Sequence, residues 1–380
     1  TTVLFFNGIG TLLYAFITKR KIPAYLGSSF AFISPVLLLY SQGYDFQTIQ
    51  GGFVITGIVF SLIAVIVGYT GIGWINKLFP PAAMGSIITI IGLELASSAA
   101  DMAGFPVGGS NSPTMNITWV IVSMVTLVTV ILCNVLLRGF LKVIPLLIGV
   151  IVGYITSCFM GLVDFSTVSN ASFFVLPNIK VAHFNINAIL TILPATFVVV
   201  AEHVGHLKVT SSIVGKDFMK DPGLHKSLLG DGLSTIISGM FGSVPTTTYG
   251  ENIGVMALTK VYSVYVICGA GLISVILGFS GKMSALITTI PTPVIGGVSF
   301  LLFGTIAVSG LRTFIEEKVD FAKSRNLILA SVIFIVGLSG IKLTIGAFEI
   351  KGMGLATLVA IVLSISFIIF DKLGIMNEKE

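Results

Sequence analysis

Long apolar stretches recur along the whole sequence, and each is long enough to cross a membrane. They run for about 17–25 residues, which is the length that an α-helix needs to span roughly 30 Å of hydrocarbon. The chain is 55% hydrophobic and only 10% charged, whereas soluble domains carry roughly 25% charged residues. The connectors between the stretches are short and polar. The sequence therefore predicts an all-α polytopic membrane protein with no separate soluble domain.

Thirteen crossings are predicted from the boundaries between the apolar stretches and their connectors. Two of them, 24–40 and 250–259, are irregular because small and polar residues interrupt the apolar run. The regular crossings are 3–18, 51–68, 82–98, 116–136, 141–158, 187–205, 225–240, 262–279, 284–309, 326–345 and 353–370.

The distribution of basic residues orients these crossings. If the C-terminus lies in the cytoplasm, seventeen of the 21 lysines and arginines fall on the cytoplasmic side, in agreement with the positive-inside rule. The other four are Lys180, Lys282, Lys342 and Lys351. Thr1 then lies on the outer side. Because no secretory signal precedes it, we expect that a first helix is missing from the sequence.

The two halves of the chain contain matching short motifs in the same order. The offsets between the copies are 210, 212 and 219 residues. With seven spans in each repeat, an odd number, the copies have opposite topology, which is typical of transporters with inverted repeats. The pairs are GYTG at 68–71 with GFSG at 278–281, PAAMGSIITIIG at 81–92 with PVIGGVSFLLFG at 293–304, and SSF at 28–30 with TTY at 247–249.

The two irregular crossings occupy corresponding positions in these repeats. One contains AYLGSSFAFISP at 24–35, and the stretch SVPTTTYGENIGV at 243–255 leads into the other. Backbone that leaves the helix inside a membrane must be buried in protein or line a cavity, and the ends of half-helices expose N–H groups that can bind a polar ligand. A softened kink between packed helices is the alternative for either stretch alone. The matched pair favours a binding site.

Four acidic residues fall within or at the edges of the apolar spans, namely Glu94, Glu202, Asp231 and Glu251. A charge at the centre of a bilayer costs about 2.5–3.5 kcal/mol on insertion scales, so each acid is a functional candidate. Glu94 and Asp231 lie near predicted span ends, where capping or a hydrogen bond between helices explains them. Glu202 and Glu251 lie deeper and favour function.

Glu202 has a histidine on the same predicted helix face. Residues four apart share a face, so His206 lies beside Glu202, whereas His203 is rotated by about 100° from Glu202. A buried carboxyl group beside an imidazole suits proton transfer. A hydrogen bond between helices with no transport role is the alternative for this pair.

Several other functions are disfavoured by the sequence. Glu202, His203 and His206 form the segment EHVGH, but their geometry for a single metal ion is poor, so we predict neither a metal site nor an enzyme. The three cysteines are scattered and predict no disulfide framework; they are Cys133, Cys158 and Cys268. The net charge of +5 is explained by basic cytoplasmic loops rather than by nucleic-acid binding.

Four long blocks of sequence resemble the nucleobase–ascorbate transporter family, also called nucleobase:cation symporters. The family signature, Glu or Gln followed by Asn-x-Gly, four residues, Thr and then a basic residue, corresponds to ENIGVMALTK at 251–260. The other blocks are AEHVGHLKVTSSIVGKD at 201–217, LGSSFAFISPVLLL at 26–39 and FPPAAMGSIITIIGLELA at 79–96. Within the family, the chain is most similar to the bacterial uracil permease branch, and the resemblance covers essentially its whole length.

The resemblance implies fourteen helices in two inverted sevens, with the third and tenth helices each broken by a short strand. It implies a core domain formed by residues 1–72 and 187–281, and a gate domain formed by 73–158 and 284–371. Residues 159–186 would form an external connector. Transport would proceed by alternating access, as the core domain moves against the gate domain.

The resemblance also implies a site. Glu202 would accept a hydrogen bond from a ring N–H of uracil, and Glu251 would bind the opposite part of the pyrimidine edge. The backbone at Gly250 and at Phe30 would meet the carbonyl oxygens and the ring, with Tyr249 beside them. His206 would support Glu202. The resemblance further implies proton coupling, for which Glu202, His206 and Glu251 are the candidates.

The partners implied by the resemblance are uracil, protons and the lipid bilayer. A homodimer is a further expected assembly, and no cofactor is implied. The location would be the bacterial cytoplasmic (inner) membrane, with several crossings and a cytoplasmic C-terminus. Another nucleobase, such as xanthine or another purine, is one alternative substrate. An anion exchanger or channel with the same inverted-repeat fold is the other alternative.

Overall fold

The computed structural model of the protein describes residues 1–107, 114–345 and 348–376. Residues 108–113 and 346–347, which fall within the predicted gate domain, lie outside the described residues. Lys379, one of the basic residues counted on the cytoplasmic side, also lies outside them.

The described part of the chain is mostly helical. In chain order its helices are α1 (Thr2–Ile17), α2 (Ile33–Ser41), α3 (Phe46–Thr70), α4 (Gly73–Leu78), α5 (Pro81–Glu94), α6 (Ala96–Met102), α7 (Ile117–Leu136), α8 (Pro145–Phe159), α9 (Ser166–Asn170), α10 (Ile186–Val214), α11 (Leu224–Met240), α12 (Gly250–Thr259), α13 (Val264–Leu277), α14 (Gly281–Thr288), α15 (Thr292–Glu316), α16 (Ser324–Leu338) and α17 (Gly352–Lys372). The strands are β1 (Leu26–Ser28), β2 (Thr246–Thr248), β3 (Lys342–Ile345) and β4 (Phe348–Lys351).

Six helical segments among the described residues are long and apolar enough to cross a membrane. Shorter apolar helices of 10–17 residues accompany them. The prediction of a polytopic helical membrane protein is confirmed, whereas the number of thirteen crossings stays a prediction. The six long segments are Phe46–Thr70, Pro81–Met102, Ile117–Leu136, Ile186–Val214, Thr292–Glu316 and Gly352–Lys372.

The two irregular stretches each contain a three-residue strand followed by a helix. β1 leads into a short 3-10 turn at Phe30–Phe32 and then into α2, and β2 leads into α12. The strands pair with each other in antiparallel register, with Leu26 opposite Thr248 and Ser28 opposite Thr246. Buried backbone N–H and C=O groups need partners. The pairing of β1 with β2 supplies such partners to the non-helical backbone of both stretches.

The chain divides into two compact units. The first comprises Thr1–Ile91, Pro177–Gly278 and Ser309–Glu380, and the second comprises Gly92–Leu176 and Phe279–Val308. These units describe where the chain is densely packed. The predicted core and gate domains describe which parts move during transport, and that division stays a prediction.

The first unit is built around the close contact of α3 with α11. A Cβ atom added at Gly57 would lie 2.7 Å from the backbone nitrogen of Ile236 and 2.8 Å from the carbonyl oxygen of Gly232. Further along the same contact, the amide of Gln50 donates to the carbonyl oxygen of Gly239 at 3.2 Å. Small residues therefore let the two helix backbones approach, and buried polar side chains link them, as is usual between membrane helices.

The second unit is also linked by polar contacts between helices. The hydroxyl groups of Tyr154 on α8 and Thr289 beyond α14 are hydrogen-bonded at 2.9 Å. The ammonium group of Lys282 donates to the carbonyl oxygens of Val168 and Ser169 at 2.7 and 2.8 Å. These bonds connect α8 and α9 to α14 within the unit.

The pairing of β1 with β2 predicts a specific cross-link. With the native cysteines replaced by serine, a Ser28→Cys/Thr246→Cys pair should form a disulfide under mild oxidation. Directly opposite residues in antiparallel strands have Cα atoms about 4.5–5.5 Å apart, which a disulfide spans. A Leu26→Cys/Thr246→Cys pair, displaced by two positions, is the matched control and should cross-link weakly. Intact mass before and after reduction measures the yield, and equal yields for both pairs would contradict this register.

The close approach of α3 and α11 predicts that Gly57→Ala destabilises the protein. The added methyl group meets backbone atoms of Ile236 and Gly232 as well as the side chain of Ile236, and backbone cannot move aside easily, so the cost should be about 1–3 kcal/mol. Gly269→Ala on α13 is the control, because nothing lies within 4 Å of the added Cβ. The apparent midpoint of thermal unfolding in detergent should fall only for the first variant. A fall of equal size for both would show that the contact is not tight.

Candidate functional site

Glu202 and His206 lie one turn apart on α10. His206 Nε2 is 3.8 Å from Glu202 Oε1, and the two side chains are 22% and 33% exposed. This distance is too long for a hydrogen bond, so the interaction is electrostatic. The two side chains lie on one face of α10, as their spacing predicts.

The polar face of α10 lies against β2 and the start of α12. His206 Nδ1 is 3.3 Å from the Oγ1 atom of Thr248. A Cβ atom at Gly250 would lie 2.9 Å from His206 Nε2, so glycine permits the backbone to approach the imidazole there. Glu202 is also within electrostatic range of Glu251.

Glu251 lies in the first turn of α12 and its side chain is exposed. The first turn of a helix carries backbone N–H groups without partners inside the helix, and negative charge is favoured beside them. The start of α12 therefore presents a carboxylate acceptor and backbone donors side by side.

Tyr249 packs against β1. Its hydroxyl group is 3.2 Å from the Oγ atom of Ser28, and a Cβ atom at Gly27 would lie 2.1 Å from its ring. Phe30 begins the turn that follows β1, and this turn contacts α10. The segments that carry all six predicted site residues therefore meet around the paired strands.

A buried histidine–aspartate contact that the sequence did not predict lies beside this site. His203 Nδ1 is 2.7 Å from Asp231 Oδ2, and both side chains are 1% exposed. The spacing predicts that His203 is rotated by about 100° from Glu202, and its side chain contacts Asp231 and Ser227 on α11. Asp231 is fully buried, and the interpretation of it as a hydrogen-bonding group between helices fits this contact. An acid in an apolar span needs a partner, so the sequence signals that Asp231 has one. Spacing alone does not identify His203, because His225 lies closer to Asp231 in the sequence.

The arrangement supplies carboxylate acceptors, backbone donors and aromatic rings to one region. These groups match an uncharged planar ligand that has both donors and acceptors on its edge. Among residues 1–107, 114–345 and 348–376, no group of three or more histidine, cysteine or acidic side chains is placed to hold a metal ion.

Comparisons with known proteins identify relatives along the whole chain. The profile Xan_ur_permease, described as a permease family, matches residues 1–346. A protein of Escherichia coli (strain K12) named uracil permease is 57% identical over 380 residues, which is 100% of this chain and 87% of that protein. A protein of the same name from Bacillus subtilis (strain 168) is 46% identical over 367 residues, covering 94% of this chain and 84% of that protein.

Solved structures with low sequence identity share the fold. The transmembrane domain of the cyanobacterial bicarbonate transporter BicA superposes with a TM-score of 0.61 at 12% identity, covering 96% of this chain and 93% of that one. The murine anion transporter Slc26a9 in its inward-facing state superposes with a TM-score of 0.72 at 13% identity, covering 96% of this chain and 63% of that one. The predicted inverted-repeat transporter fold is confirmed by these neighbours.

The family and the relatives are permeases rather than enzymes, and the apolar helices make this chain a multi-pass membrane protein. The motifs at 251–260, 201–217, 26–39 and 79–96, the fold and the full-length matches agree with one another. The chain belongs to the Xan_ur_permease family, the nucleobase–ascorbate transporters.

Proposed function

We propose that this protein is a proton-coupled symporter that imports uracil across the cytoplasmic membrane. The observation that carries the proposal is that α10, which carries Glu202 and His206, lies against the start of α12 beside the paired strands. Gly250 approaches the imidazole of His206 there, and Glu251 lies within electrostatic range of Glu202. Relatives named uracil permease at 57% and 46% identity support the choice of substrate.

Uracil is neutral and planar, and its edge alternates C=O and N–H groups. Glu202 would accept from one ring N–H, and Glu251 would bind the opposite part of that edge. The backbone N–H groups at Gly250 and Glu251 would donate to a carbonyl oxygen. Phe30 and Tyr249 would contact the ring faces and rim. A site that pairs each polar group rejects analogues that leave one unpaired.

A pyrimidine is favoured over a purine by the residue at position 251. The purine-transporting branch of the family typically has Gln there, and this chain has Glu251. A carboxylate offers only acceptors, whereas an amide offers a donor as well. The two residues would therefore select different hydrogen-bonding edges, and transport of xanthine or another purine is the alternative substrate choice.

Proton coupling is proposed for the group formed by Glu202, His206 and Glu251. Two carboxylates close to one another repel when both are charged, and this repulsion is strong where water is scarce. A proton bound to the group would relieve the repulsion and supply a further donor for the substrate. Binding of the proton and of uracil would then favour each other.

Alternating access would follow from movement of the core domain, 1–72 and 187–281, against the gate domain, 73–158 and 284–371, with 159–186 as an external connector. We place the protein in the bacterial inner membrane with its C-terminus in the cytoplasm, since this orientation places seventeen of the 21 basic residues inside, as the positive-inside rule requires. The surrounding partners would be lipid and, in a homodimer, a second copy of the chain.

Anion transport is the second candidate, because the neighbours in fold include an anion transporter and a bicarbonate transporter. A site for anions calls for cationic groups or free helix N-termini. The start of α12 is such an N-terminus, but Glu251 lies in its first turn and Glu202 lies within electrostatic range. The two negative side chains favour the neutral base.

Glu202→Gln and Glu251→Gln should each weaken uracil binding by about 10–100-fold, because each removes a charged hydrogen-bond acceptor worth roughly 1.5–3 kcal/mol. Isothermal titration of the purified protein with uracil measures the effect. The control is Glu316→Gln, which removes an exposed carboxylate that pairs with Arg312 at 2.6 Å and should leave binding unchanged. Full uracil binding by Glu251→Gln would overturn the proposed site.

Uptake of labelled uracil into permease-null cells should be faster at external pH 6 than at pH 8 and should collapse on addition of a protonophore. The physical reason is that accumulation uses the proton gradient. Equilibrium binding of uracil to purified protein is the control and should not respond to the protonophore. Uptake that is indifferent to the gradient would contradict proton coupling, and chloride or bicarbonate flux without uracil binding would favour the anion transporter.

A further inference from the structure

A chain of buried hydrogen bonds connects α1, α10 and α11 and ends at β2. The hydroxyl groups of Tyr14 and Ser227 are 2.5 Å apart, although the residues are separated by 213 positions. Ser227 Oγ is also 2.7 Å from His203 Nε2, and His203 Nδ1 is 2.7 Å from Asp231 Oδ2. All four side chains are buried, with exposed fractions of 1% or less.

The last link of the chain reaches the backbone of β2. The N–H group of Thr248 donates to Asp231 Oδ2 at 3.3 Å, and the Oγ1 atom of Thr248 is 3.3 Å from His203 Nδ1. Thr248 directly precedes Tyr249 and Gly250. The chain of hydrogen bonds therefore ends one residue before the segment that the proposed substrate would touch.

The direction of the hydrogen bonds follows from their two ends. An ionised carboxylate only accepts hydrogen bonds, so Asp231 Oδ2 accepts both from the Thr248 backbone and from His203 Nδ1. A neutral imidazole then accepts at Nε2 from the hydroxyl of Ser227, and Ser227 accepts from Tyr14. If the hydrogen bonds ran in the opposite direction, the buried hydroxyl hydrogen of Tyr14 would have no acceptor among the described residues. A buried donor without an acceptor is unfavourable.

The buried carboxylate of Asp231 has few hydrogen-bond donors besides His203. Its second oxygen, Oδ1, is buried and has no hydrogen-bond partner among the described residues. The carboxylate is therefore stabilised through Oδ2, by His203 and by the backbone of Thr248. Loss of the His203 contact would leave a buried charge with one weak donor, which is a costly state.

The other contacts of β2 with α11 hold the opposite end of the strand. Thr235 Oγ1 donates to the carbonyl oxygen of Thr246 at 2.9 Å, and the hydroxyls of Ser234 and Thr246 are 2.6 Å apart. These bonds do not reach residue 248. On the helix side, the strand end next to Tyr249 is held by Asp231, which contacts His203. On the other side it is held by β1, where Leu26 lies opposite Thr248 and the N–H of Tyr249 donates to the carbonyl oxygen of Tyr25 at 3.1 Å.

We propose that Tyr14, Ser227 and His203 are positioning residues, which orient Asp231 so that it holds the end of β2 and sets the geometry of Tyr249, Gly250 and Glu251. The expected change in uracil affinity rests on the proposed function, because these residues would act on the proposed uracil site. The effect on the strand itself does not, because it concerns the backbone of Thr248 in the absence of any ligand.

Tyr14→Phe is the primary test, because it removes one oxygen atom and preserves the packed ring. It should weaken uracil binding by about tenfold, the size expected when a buried hydrogen-bonded chain loses its terminal donor. In uptake it should raise the KM more than it lowers the maximal rate. Tyr154→Phe, which removes the hydrogen bond to Thr289 in the second compact unit, is the matched control and should leave both constants unchanged.

Hydrogen exchange of the ligand-free protein gives a readout that is independent of substrate. Tyr14→Phe and Ser227→Ala should each speed exchange in peptides covering 244–252, while peptides from α7 and α8 stay unchanged. The double variant should exchange no faster than the single variants, because both substitutions interrupt the same series of hydrogen bonds. If the wild-type protein fails to bind uracil, this exchange result still decides the proposal.

His203 provides the conservative rescue. An asparagine amide can occupy the place of Nδ1 and donate to Asp231, whereas a glutamine amide reaches the place of Nε2 instead. His203→Asn should therefore keep exchange at 244–252 closer to wild type than His203→Gln does. Equal behaviour of the two variants, unchanged exchange and affinity in Tyr14→Phe, or exchange raised equally throughout the protein would each overturn the positioning role.

Discussion

The pairing of β1 with β2 is the constraint on which the rest of the site depends. Inside a bilayer an interrupted helix exposes N–H and C=O groups that have no water to bind. The two interruptions meet, and their backbones satisfy each other across a register that places Ser28 opposite Thr246. This arrangement lets α2 and α12 begin next to the paired strands, so that α12 presents its first turn there.

Small residues and buried hydroxyl groups make this pairing compatible with tight packing. Gly27 leaves room for the ring of Tyr249, and Gly250 leaves room for His206. The strands are then fixed to the helices around them. The backbone N–H of Leu26 donates to the hydroxyl of Thr11 on α1 at 2.9 Å, and α11 holds β2. The geometry of the candidate site is therefore a consequence of helix packing rather than of the strands alone.

The site residues differ in how far they could be predicted. Glu202 and His206 share a face because they are four apart on one helix, and that relation follows from helical geometry alone. The approach of His206 to Thr248 and Gly250 requires α10 to pack against a segment more than forty residues away. The motif resemblance indicated that approach, while spacing could not. Glu251 is exposed in the first turn of α12, just after β2 ends. No periodicity in the sequence marks where that strand ends.

The sequence by itself determined the membrane-spanning helical class, the two interrupted stretches and the unusual acids within apolar spans. Each of these follows from local composition and from the cost of placing polar groups in hydrocarbon. Only the tertiary structure decided that His203 faces Asp231, that Ser227 meets Tyr14 and that Asp231 holds the backbone of Thr248. These contacts join residues up to 213 positions apart. Helical periodicity assigns a side chain to a face, but the packing of whole helices chooses what that face meets.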